Sequence, residues 1–591
     1  MPEYRSPQNE PGMERNLLLI FALMAVAVFG SQFLMKKYAP QNKSTAQPTQ
    51  PIQAPAPSNP PTVQSEPAAA LAKPAKVAKG STQVPAAKQA SSESQIVVEN
   101  DFYRITFTNR GGQVKSWVLK KFSDDRGQPL DLVNPTNAAK YGYPLSLWTY
   151  DQPQRDKLNS ALYVPSTTAP NLTTPGDLTF DYSDSGLTVR KTFHFDKTYE
   201  VGVDTSVFSN GDPVWAFPAW PVGFGDQTNV PAYASGQLEY QVNDSSDHLA
   251  VKKVVGGATL TGNYNWAGVS SQYFTATFIP DKATDLRVVT LRNPVDAAAS
   301  PTSSDIKPAD ALGVAVGRPG ESSERLFVGP KSLEVLEAVP VPTIVGADKD
   351  LRGVVNFGSL GLIARPLFAW PVIGLRWIHE HIIHNWGWAI VLQTFMITIA
   401  LLPLRIFQMK SALKMQRVQP QMKAIQEKYK KYSMSDPRKQ DMQKEIGELY
   451  KREGVNPIGG CLPLLVQLPF LWAYYKMLGA AIDLRQAHWI WIHDLSARDP
   501  IFLLPAIMVI SMFLIQRITP QAGMDPTQQK MMNIMMPAMM GFIFFNLPAG
   551  LNLYYAESNL ISIAQQWIMN KTELGREMRA IAAKRARKKD K

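Results

Sequence analysis

Several polar side chains lie inside C-terminal segments that are otherwise apolar enough to cross a lipid bilayer. The segment Trp386–Leu404 has roughly the 20 residues needed to span the hydrocarbon core, yet it contains Thr394 and Thr398 and is followed by Arg405. At about 100° per residue, the three polar side chains fall within roughly 40° of one another on one helix face. Because polar groups at membrane depth are costly, this stripe predicts a polar pathway or binding site inside a membrane protein.

A second polar position lies in the motif from Asn456 to Pro469. Here Gln467 places an amide inside another predicted span, Gly459–Leu478, which prolines are expected to bend. The remaining predicted spans are Ile501–Ile518, Met531–Leu547 and Leu551–Met569. Together with the first span they predict a five-helix transmembrane core over residues 386–570.

The positive charge of the chain is concentrated beside these spans. The 591 residues carry a formal net charge of +12. Thirteen Lys and Arg residues lie between residues 405 and 452 and nine between residues 571 and 591, but only two lie in the loop 479–500. The positive-inside rule therefore places the basic segments and both termini in the cytoplasm, and the loop outside. The single cysteine, Cys461, excludes a disulfide framework and a structural metal site made of cysteines.

The N-terminal part predicts an anchor and a tether. The apolar run Asn16–Met35 is longer than the core of a cleaved signal peptide, and the residues after it do not resemble a cleavage site. We interpret residues 1–37 as a cytoplasmic N-terminus and an uncleaved signal-anchor helix, whose orientation its own flanking charges do not determine. Residues 38–94 are rich in Pro, Ala, Gln and Ser and predict a disordered linker.

Residues 95–345 change to a period of two, which is typical of strands. Four segments alternate or are β-branched, and Asn109–Gly112 has the composition of a hairpin turn; the segments are Tyr103–Thr108, Gly112–Leu119, Leu187–Phe193 and Leu286–Leu291. They predict a large antiparallel β-sandwich outside the cytoplasm, with a binding or structural role. Trp215, Trp220 and Tyr240 could line a sugar cleft or belong to the core, and no catalytic constellation is found there.

Two further segments are predicted, one between the β-sandwich and the transmembrane core and one inside the core. Residues 346–385 predict a linker followed by an amphipathic helix, Phe357–Asn385, lying in the membrane interface. His379, Glu380 and His384 do not have the spacing of a zinc-protease motif. Residues 405–455 predict a cytoplasmic hairpin of two helices, whose charge is either a solvated face or a docking surface.

The motifs together resemble the YidC/Oxa family of membrane-protein insertases, in its Gram-negative form with a tethered β-super-sandwich. The resemblance rests on four linked motifs and covers the whole chain; the motifs are Asn456–Pro469, Trp489–Leu495, Asp525–Lys530 and Leu553–Leu560. It implies insertion and chaperoning of nascent membrane proteins, alone or with the Sec translocon, through a hydrophilic groove open to cytoplasm and lipid. It implies no ATP hydrolysis, enzyme chemistry, cofactor or metal, and activity as a monomer in the bacterial inner membrane.

The resemblance also assigns site residues. Thr394, Gln467 and Tyr555 match groove or substrate-contact positions, and Tyr554 and Thr398 complete the predicted groove. Family members carry an arginine where this chain has Thr398. Arg405, seven residues further on, either supplies that charge from the groove mouth or is an ordinary positive-inside residue.

Glu557 is a second departure, an acid well inside the last predicted span. It lies about 160° from Tyr555 around the helix, so it is not expected to line the groove if Tyr555 does. Pairing with a cation, a hydrogen bond in the protonated form and a helix contact all remain open. The basic tail, residues 571–591, could bind anionic lipid or ribosomal RNA, or only anchor the chain.

Two other classes of protein compete with an insertase. A solute transporter usually has repeated halves, and no such symmetry is apparent among the five core spans. A membrane-anchored carbohydrate-processing enzyme would need a catalytic constellation, which the sequence lacks. The insertase interpretation alone accounts for the polar stripe, the basic cytoplasmic face and the lack of a nucleotide-binding loop together.

Overall fold

The computed structural model describes residues 87–242, 245–301, 303–342, 350–356, 373–429, 432, 436, 438–455, 481–518, 526–573, 575–577 and 579–581. The predicted signal anchor, Gln467 and the predicted span Gly459–Leu478 lie outside the described residues. So do most of the predicted linker, residues 357–372 of the predicted interfacial helix and residues 582–591 of the basic tail.

The described residues form a β-rich region followed by a helical region. The strands of the β-rich region are β1 (Gln95–Glu99), β2 (Tyr103–Thr108), β3 (Gln113–Ser123), β4 (Pro129–Asp131), β5 (Ser146–Trp148), β6 (Val164–Pro165), β7 (Asn171–Thr173), β8 (Gly176–Asp184), β9 (Leu187–Phe195), β10 (Glu200–Ser209), β11 (Asp212–Pro213), β12 (Phe217–Trp220), β13 (Gln237–Val242), β14 (Ser245–Ala250), β15 (Thr259–Gly262), β16 (Tyr264–Ser270), β17 (Phe274–Pro280), β18 (Leu286–Ala298), β19 (Ile306–Gly317) and β20 (Glu321–Pro330).

These strands form three sheets. Their orders are β4-β3-β2-β1-β7, β14-β13-β16-β17-β20-β10-β9-β8-β6 with β11 beside β10, and β15-β18-β19-β12-β5. The prediction of an antiparallel sandwich is wrong for one pair, because β7 runs parallel to β1. About 70 residues separate these two strands, which is enough chain for the crossover that a parallel pair requires.

Hydrophobic alternation explains most of the strands. Buried and exposed positions alternate along β9, whereas every residue of β16 and β17 is buried, as expected of strands covered on both faces. The predicted hairpin turn is confirmed: Gly111 and Gly112 join β2 to β3 at φ values of 66° and 53°, which glycine adopts without strain.

Trp220 belongs to the core and not to a sugar cleft. Its ring is 1% exposed, lies 6.0 Å from that of Trp117, and its Nε1 donates to the carbonyl oxygen of Gly223 at 2.7 Å. Trp215 and Tyr240 are half-buried, and the guanidinium of Arg287 covers the Trp215 ring at 3.6 Å. The three aromatic residues therefore do not form one open face.

The helices are α1 (Pro135–Tyr141), α2 (Gln152–Ser160), α3 (Val230–Ala234) and α4 (Leu333–Glu337) in the β-rich region, and α5 (Ile373–His381), α6 (Trp386–Ala400), α7 (Leu402–Lys428), α8 (Arg438–Arg452), α9 (Leu503–Ile518), α10 (Pro526–Phe544) and α11 (Ala549–Lys571) after it. Short 3₁₀ segments occupy Val251–Lys253, Leu351–Val354 and Ile482–Leu484.

The predicted first span, Trp386–Leu404, is too long. Helix α6 ends at Ala400, and α7 begins at Leu402 with Pro403 in its first turn, where the missing N–H of proline costs nothing. Arg405 therefore belongs to the helix after the break. Two other boundaries also move: α10 begins earlier and ends earlier than the predicted Met531–Leu547, and α11 extends beyond Leu551–Met569 at both ends.

None of the described helices has, by itself, both the length and the apolarity needed to cross a bilayer. Helices α5 and α6 meet both requirements only as a pair, and their axes are bent by 120°.

Helices α7 and α8 form the helical hairpin. Apolar residues of both helices pack together between them; they are Val418, Met422, Ile446 and Leu449, with Val455 just beyond. Lys428 pairs with Glu445 at 3.0 Å near the tip. The charged residues lie on the outer faces, so the hairpin has a small core of its own.

Arg376 of α5 joins the β-rich region to the helical region. Its Nη1 and Nη2 donate to Glu334 Oε2 at 3.2 Å and to Ser332 Oγ at 2.9 Å, both in the β-rich region. The same side chain donates to Asp483 Oδ2 at 2.7 Å in the loop before α9. One guanidinium therefore connects three segments that are distant in sequence.

Further contacts dock the same loop on the β-rich region. Arg485 Nη1 donates to the carbonyl oxygen of Ser123 at 2.9 Å, and Gln486 Nε2 donates to that of Asp124 at 2.8 Å. The side chain of Ile482 is buried in the main apolar core of the β-rich region. The loop is thus packed against that region as well as against the helices.

Candidate functional site

Helix α6 carries two of the predicted groove threonines. Asn385 caps the helix by accepting from the N–H of Trp388. Thr394 is fully buried and its hydroxyl donates to the carbonyl oxygen of Ile390 at 2.7 Å, while Thr398 makes the same bond to the carbonyl oxygen of Thr394 at 2.7 Å. These bonds satisfy the two hydroxyl protons inside an apolar helix.

Arg405 reaches helix α11 from the beginning of α7. Its Nη1 donates to Gln565 Oε1 at 2.8 Å and to the carbonyl oxygen of Ser562 at 3.3 Å. Gln565 Nε2 in turn donates to the carbonyl oxygen of Thr398 at 3.4 Å. The Gln565 amide therefore bridges Arg405 to α6, and the predicted stripe continues across the helix break.

Glu557 of α11 faces Thr394 of α6. Its carboxyl group lies beside the Thr394 side chain, and its Oε2 is buried without a hydrogen-bond partner among the described residues. The helical wheel separated Glu557 from Tyr555 correctly. The expectation for Glu557 held only if Tyr555 lined the groove, and Thr394 is approached by Glu557.

Tyr554 and Tyr555 point to different neighbours. Tyr554 is buried in the cluster that includes Ala389 and Ile390 of α6, on the Glu557 side. Tyr555 is half-buried, with its ring 4.5 Å from that of Phe544 at 90°, against α10. The structure therefore places Thr394, Thr398, Arg405 and Tyr554 along one seam between α6 or α7 and α11. Tyr555 packs against the edge of the same apolar cluster and against Phe544 of α10.

The loop 481–500 covers one end of this seam. The N–H groups of Ala549 and Gly550, at the start of α11, donate to the carbonyl oxygens of Ala497 and Leu495 at 2.6 and 2.8 Å. Asn385 Nδ2 donates to the carbonyl oxygen of His488 at 3.0 Å, at the start of α6. The loop thus supplies acceptors for both helix ends and closes the seam there.

The sequence analysis missed two seam residues, Ser562 and Gln565, and left the role of Glu557 open. Gln565 could have been found from the sequence, because it is an amide inside the last predicted span, as Gln467 is inside an earlier one. Of Gln467 itself the structure describes nothing. Within the described residues no three His, Cys, Asp or Glu side chains are grouped as metal ligands would be.

The family models and the sequence relatives agree on one class. The family model for the 60Kd inner membrane protein matches residues 377–576, and that for the YidC periplasmic domain matches residues 95–370. The membrane protein insertase YidC of Bordetella avium is 32% identical over 509 residues, covering 83% of this chain and 85% of the relative. That of Citrifermentans bemidjiense is 32% identical over 500 residues, covering 80% and 85%.

Among solved structures, that of an active YidC insertase with its first transmembrane domain resolved is 20% identical and covers 82% of this chain and 95% of that chain, with a TM-score of 0.32. The sequence relatives and the two family models define an inner-membrane protein class with a β-rich periplasmic domain and a helical C-terminal region. The chain belongs to the YidC family of membrane protein insertases.

Proposed function

We propose that this chain inserts nascent membrane proteins into the bacterial inner membrane and assists their folding, with the seam between α6, α7 and α11 as one wall of a hydrophilic groove. A client segment would rest its polar flank against the seam and then move laterally into lipid. Burial of the client's apolar surface would drive the step without ATP hydrolysis. The supporting observation is the continuous polar path from Thr394 through Thr398 and Gln565 to Arg405 between otherwise apolar helices.

The proposal includes the predicted organisation of the chain. Residues 1–37 would anchor it, 38–94 would tether the periplasmic domain at 95–345, 346–385 would lie at the interface, and 386–570 would form a five-helix core with the cytoplasmic hairpin 405–455. The tail 571–591 and the hairpin would meet the ribosome or anionic lipid. The chain would act as a monomer, alone or with the Sec translocon.

In this proposal Arg405 supplies the positive charge of the groove from its cytoplasmic mouth. Its guanidinium is held by the Ser562 carbonyl and the Gln565 amide, neither of which neutralises it. A retained positive charge would attract acidic client tails, and the membrane potential would favour their translocation.

The proposal is tested by depleting the protein in its host and following a small Sec-independent client with a short acidic translocated tail. Protease protection of the tail should be lost on depletion and restored by the wild-type chain. Normal protection of the tail throughout depletion would contradict insertase activity.

The groove charge is tested in the same assay with Arg405→Ala. Tail protection should fall roughly tenfold, and Thr394→Val should also lower it. Lys410→Ala is the matched control, because Lys410 is an exposed cation on the same helix and should leave protection unchanged. If Arg405→Ala behaves like the control while Thr394→Val is impaired, Arg405 only anchors the chain.

A further inference from the structure

Glu557 is the one acid within the described helices α6, α9, α10 and α11. It lies eight residues after Ala549, or roughly 12 Å along α11 from the end covered by the loop 481–500. Its carboxyl group reaches Thr394, a residue of the seam. An acid at this depth therefore faces the same groove wall that carries the threonine stripe.

The carboxyl group has unused hydrogen-bonding capacity. A carboxylate accepts about four hydrogen bonds, and the buried Oε2 of Glu557 has no hydrogen-bond partner among the described residues. The Thr394 hydroxyl already donates its proton to Ile390. Buried acceptors are normally satisfied, so this oxygen is available for an incoming donor.

No Lys or Arg side chain that the structure describes forms an ion pair with Glu557. Arg405 is held by Ser562 and Gln565, five and eight residues further along α11. Lys571 lies over the Trp567 ring at 3.3 Å, and Arg517 over the Phe513 ring at 4.8 Å. The described helices therefore provide no positively charged partner for the Glu557 carboxyl group. A ligand with a positive side chain would provide one.

We infer that Glu557, with Thr394, is a recognition site for a Lys or Arg side chain carried within the apolar segment of a client protein. A cationic side chain is among the costliest groups to bring into the bilayer, and a carboxylate at this depth would hold it until the segment packs against its own partners. The inference rests on the proposed insertase function and adds a substrate class to it.

The test uses two otherwise identical single-span clients, one with Lys and one with Gln at the middle of the span. Insertion of both is measured by protease protection in the depletion host carrying the wild-type chain, Glu557→Gln or Glu573→Gln. We expect Glu557→Gln to lower the ratio of Lys-client to Gln-client insertion about tenfold. Glu573→Gln should preserve the wild-type ratio, because Glu573 is an exposed acid beyond the end of α11.

A second measurement needs no variant. Insertion of the Lys client by the wild-type chain is arrested, and a carbodiimide is added to join the client amine to a neighbouring carboxyl group as an amide, with loss of water. Mass spectrometry should find the client lysine linked to Glu557. A linkage only to other acids would overturn the inference even if Glu557→Gln did not fold.

The remaining outcomes are distinct. An equal fall for both clients with Glu557→Gln would assign Glu557 to helix packing and overturn the inference. If the wild-type chain restores neither client after depletion, the proposed insertase function itself fails. Normal insertion of the Gln client with a lowered Lys-to-Gln ratio supports both.

Discussion

A buried lysine of the β-rich region and an acid of the helical region differ in how fully their polar atoms are hydrogen-bonded. Lys191 of β9 is fully buried, and its Nζ donates to the carbonyl oxygens of Gly111, Gly112 and Leu145 at 2.7, 3.1 and 2.6 Å. Glu557 of α11 reaches one hydroxyl and leaves a buried oxygen unpaired among the described residues. The Lys191 amino group is held by three acceptors, whereas the Glu557 carboxyl group keeps an acceptor oxygen available to a ligand.

Unpaired buried carboxyl oxygens also occur among the described residues of the β-rich region, at Asp226, Glu239 and Glu324. Glu324 of β20 is 1% exposed; its Oε1 accepts from Ser322 Oγ, and its Oε2 has no hydrogen-bond partner among the described residues. Burial raises the pKa of this carboxyl group to about 8, against the smaller opposite effect of the Ser322 bond. A neutral carboxyl group at physiological pH avoids the cost of a buried charge without needing a cation.

The largest expected effect comes from removing the Lys191 amino group, whose pKa burial lowers to about 7. Lys191→Met keeps the apolar volume but leaves three buried carbonyls without a donor, so the β-rich region should lose about 3–5 kcal/mol of unfolding free energy. The measurement is denaturant unfolding of the full chain followed by tryptophan fluorescence. Arg190→Met, an exposed neighbour on the same strand, should cost at most about 1 kcal/mol. Equal losses of unfolding free energy for the two variants would show that the buried Lys191 contributes no more than its exposed neighbour.

The next effect is the pH dependence caused by Glu324. Because its pKa is raised in the folded chain, the folded state holds an extra proton between about pH 4.5 and 8. The stabilisation is therefore complete below about pH 4.5. It is lost by about 1.4 kcal/mol per pH unit as the pH rises from about 4.5 to 8. Between pH 5 and 7 the wild type should lose about 3 kcal/mol relative to Glu324→Gln in the same unfolding assay. Parallel pH profiles would contradict this.

A smaller effect is expected at the junction between the regions. Arg376→Ala removes the guanidinium shared by Asp483, Glu334 and Ser332, which should cost about 2 kcal/mol locally. Hydrogen exchange should accelerate about 30-fold in α4 and at Ile482–Leu484, with β10 and β20 unchanged.

The control for the junction is Arg352→Ala. Arg352 pairs with Asp350 and Glu337, both within the β-rich region. Its removal should leave exchange at Ile482–Leu484 unaltered. If it accelerates exchange there as much as Arg376→Ala does, the junction does not depend on Arg376.

The smallest effect concerns an exposed charge. Burial opposes protonation of His194, but hydrogen bonds to Asp177 and Asp204 outweigh it and raise the pKa of the imidazole. The stabilisation is then present below the ordinary histidine pKa of about 6.5 and lost as the pH rises through the raised value. His194→Gln should lower stability by less than about 1 kcal/mol at pH 5.5 and leave it unchanged at pH 8.5. A loss of equal size at both pH values would exclude titration as its cause.

Much of the fold was predictable where the signal is local. Tyr103–Thr108 was predicted with the observed bounds because its alternation and the glycine turn after it specify a strand and a hairpin without help from distant residues. The prediction that Tyr555 and Glu557 lie on opposite faces also held, since the helical repeat alone determines it. The first span was predicted too long because apolarity continues past Ala400, whereas the backbone breaks before Pro403.

The sequence by itself determined the alternation of the strands and the angular order of polar residues around α6 and α11, because these depend on a repeat of two or 3.6 residues. It also determined the hairpin turn, because Gly111 and Gly112 adopt positive φ without strain. Only the tertiary structure decided that α6 faces Glu557 and Gln565, that β7 returns parallel to β1, and that Arg376 joins the two regions. These contacts depend on how apolar faces are buried against partners tens to hundreds of residues away, and the local repeat carries no information about the partner.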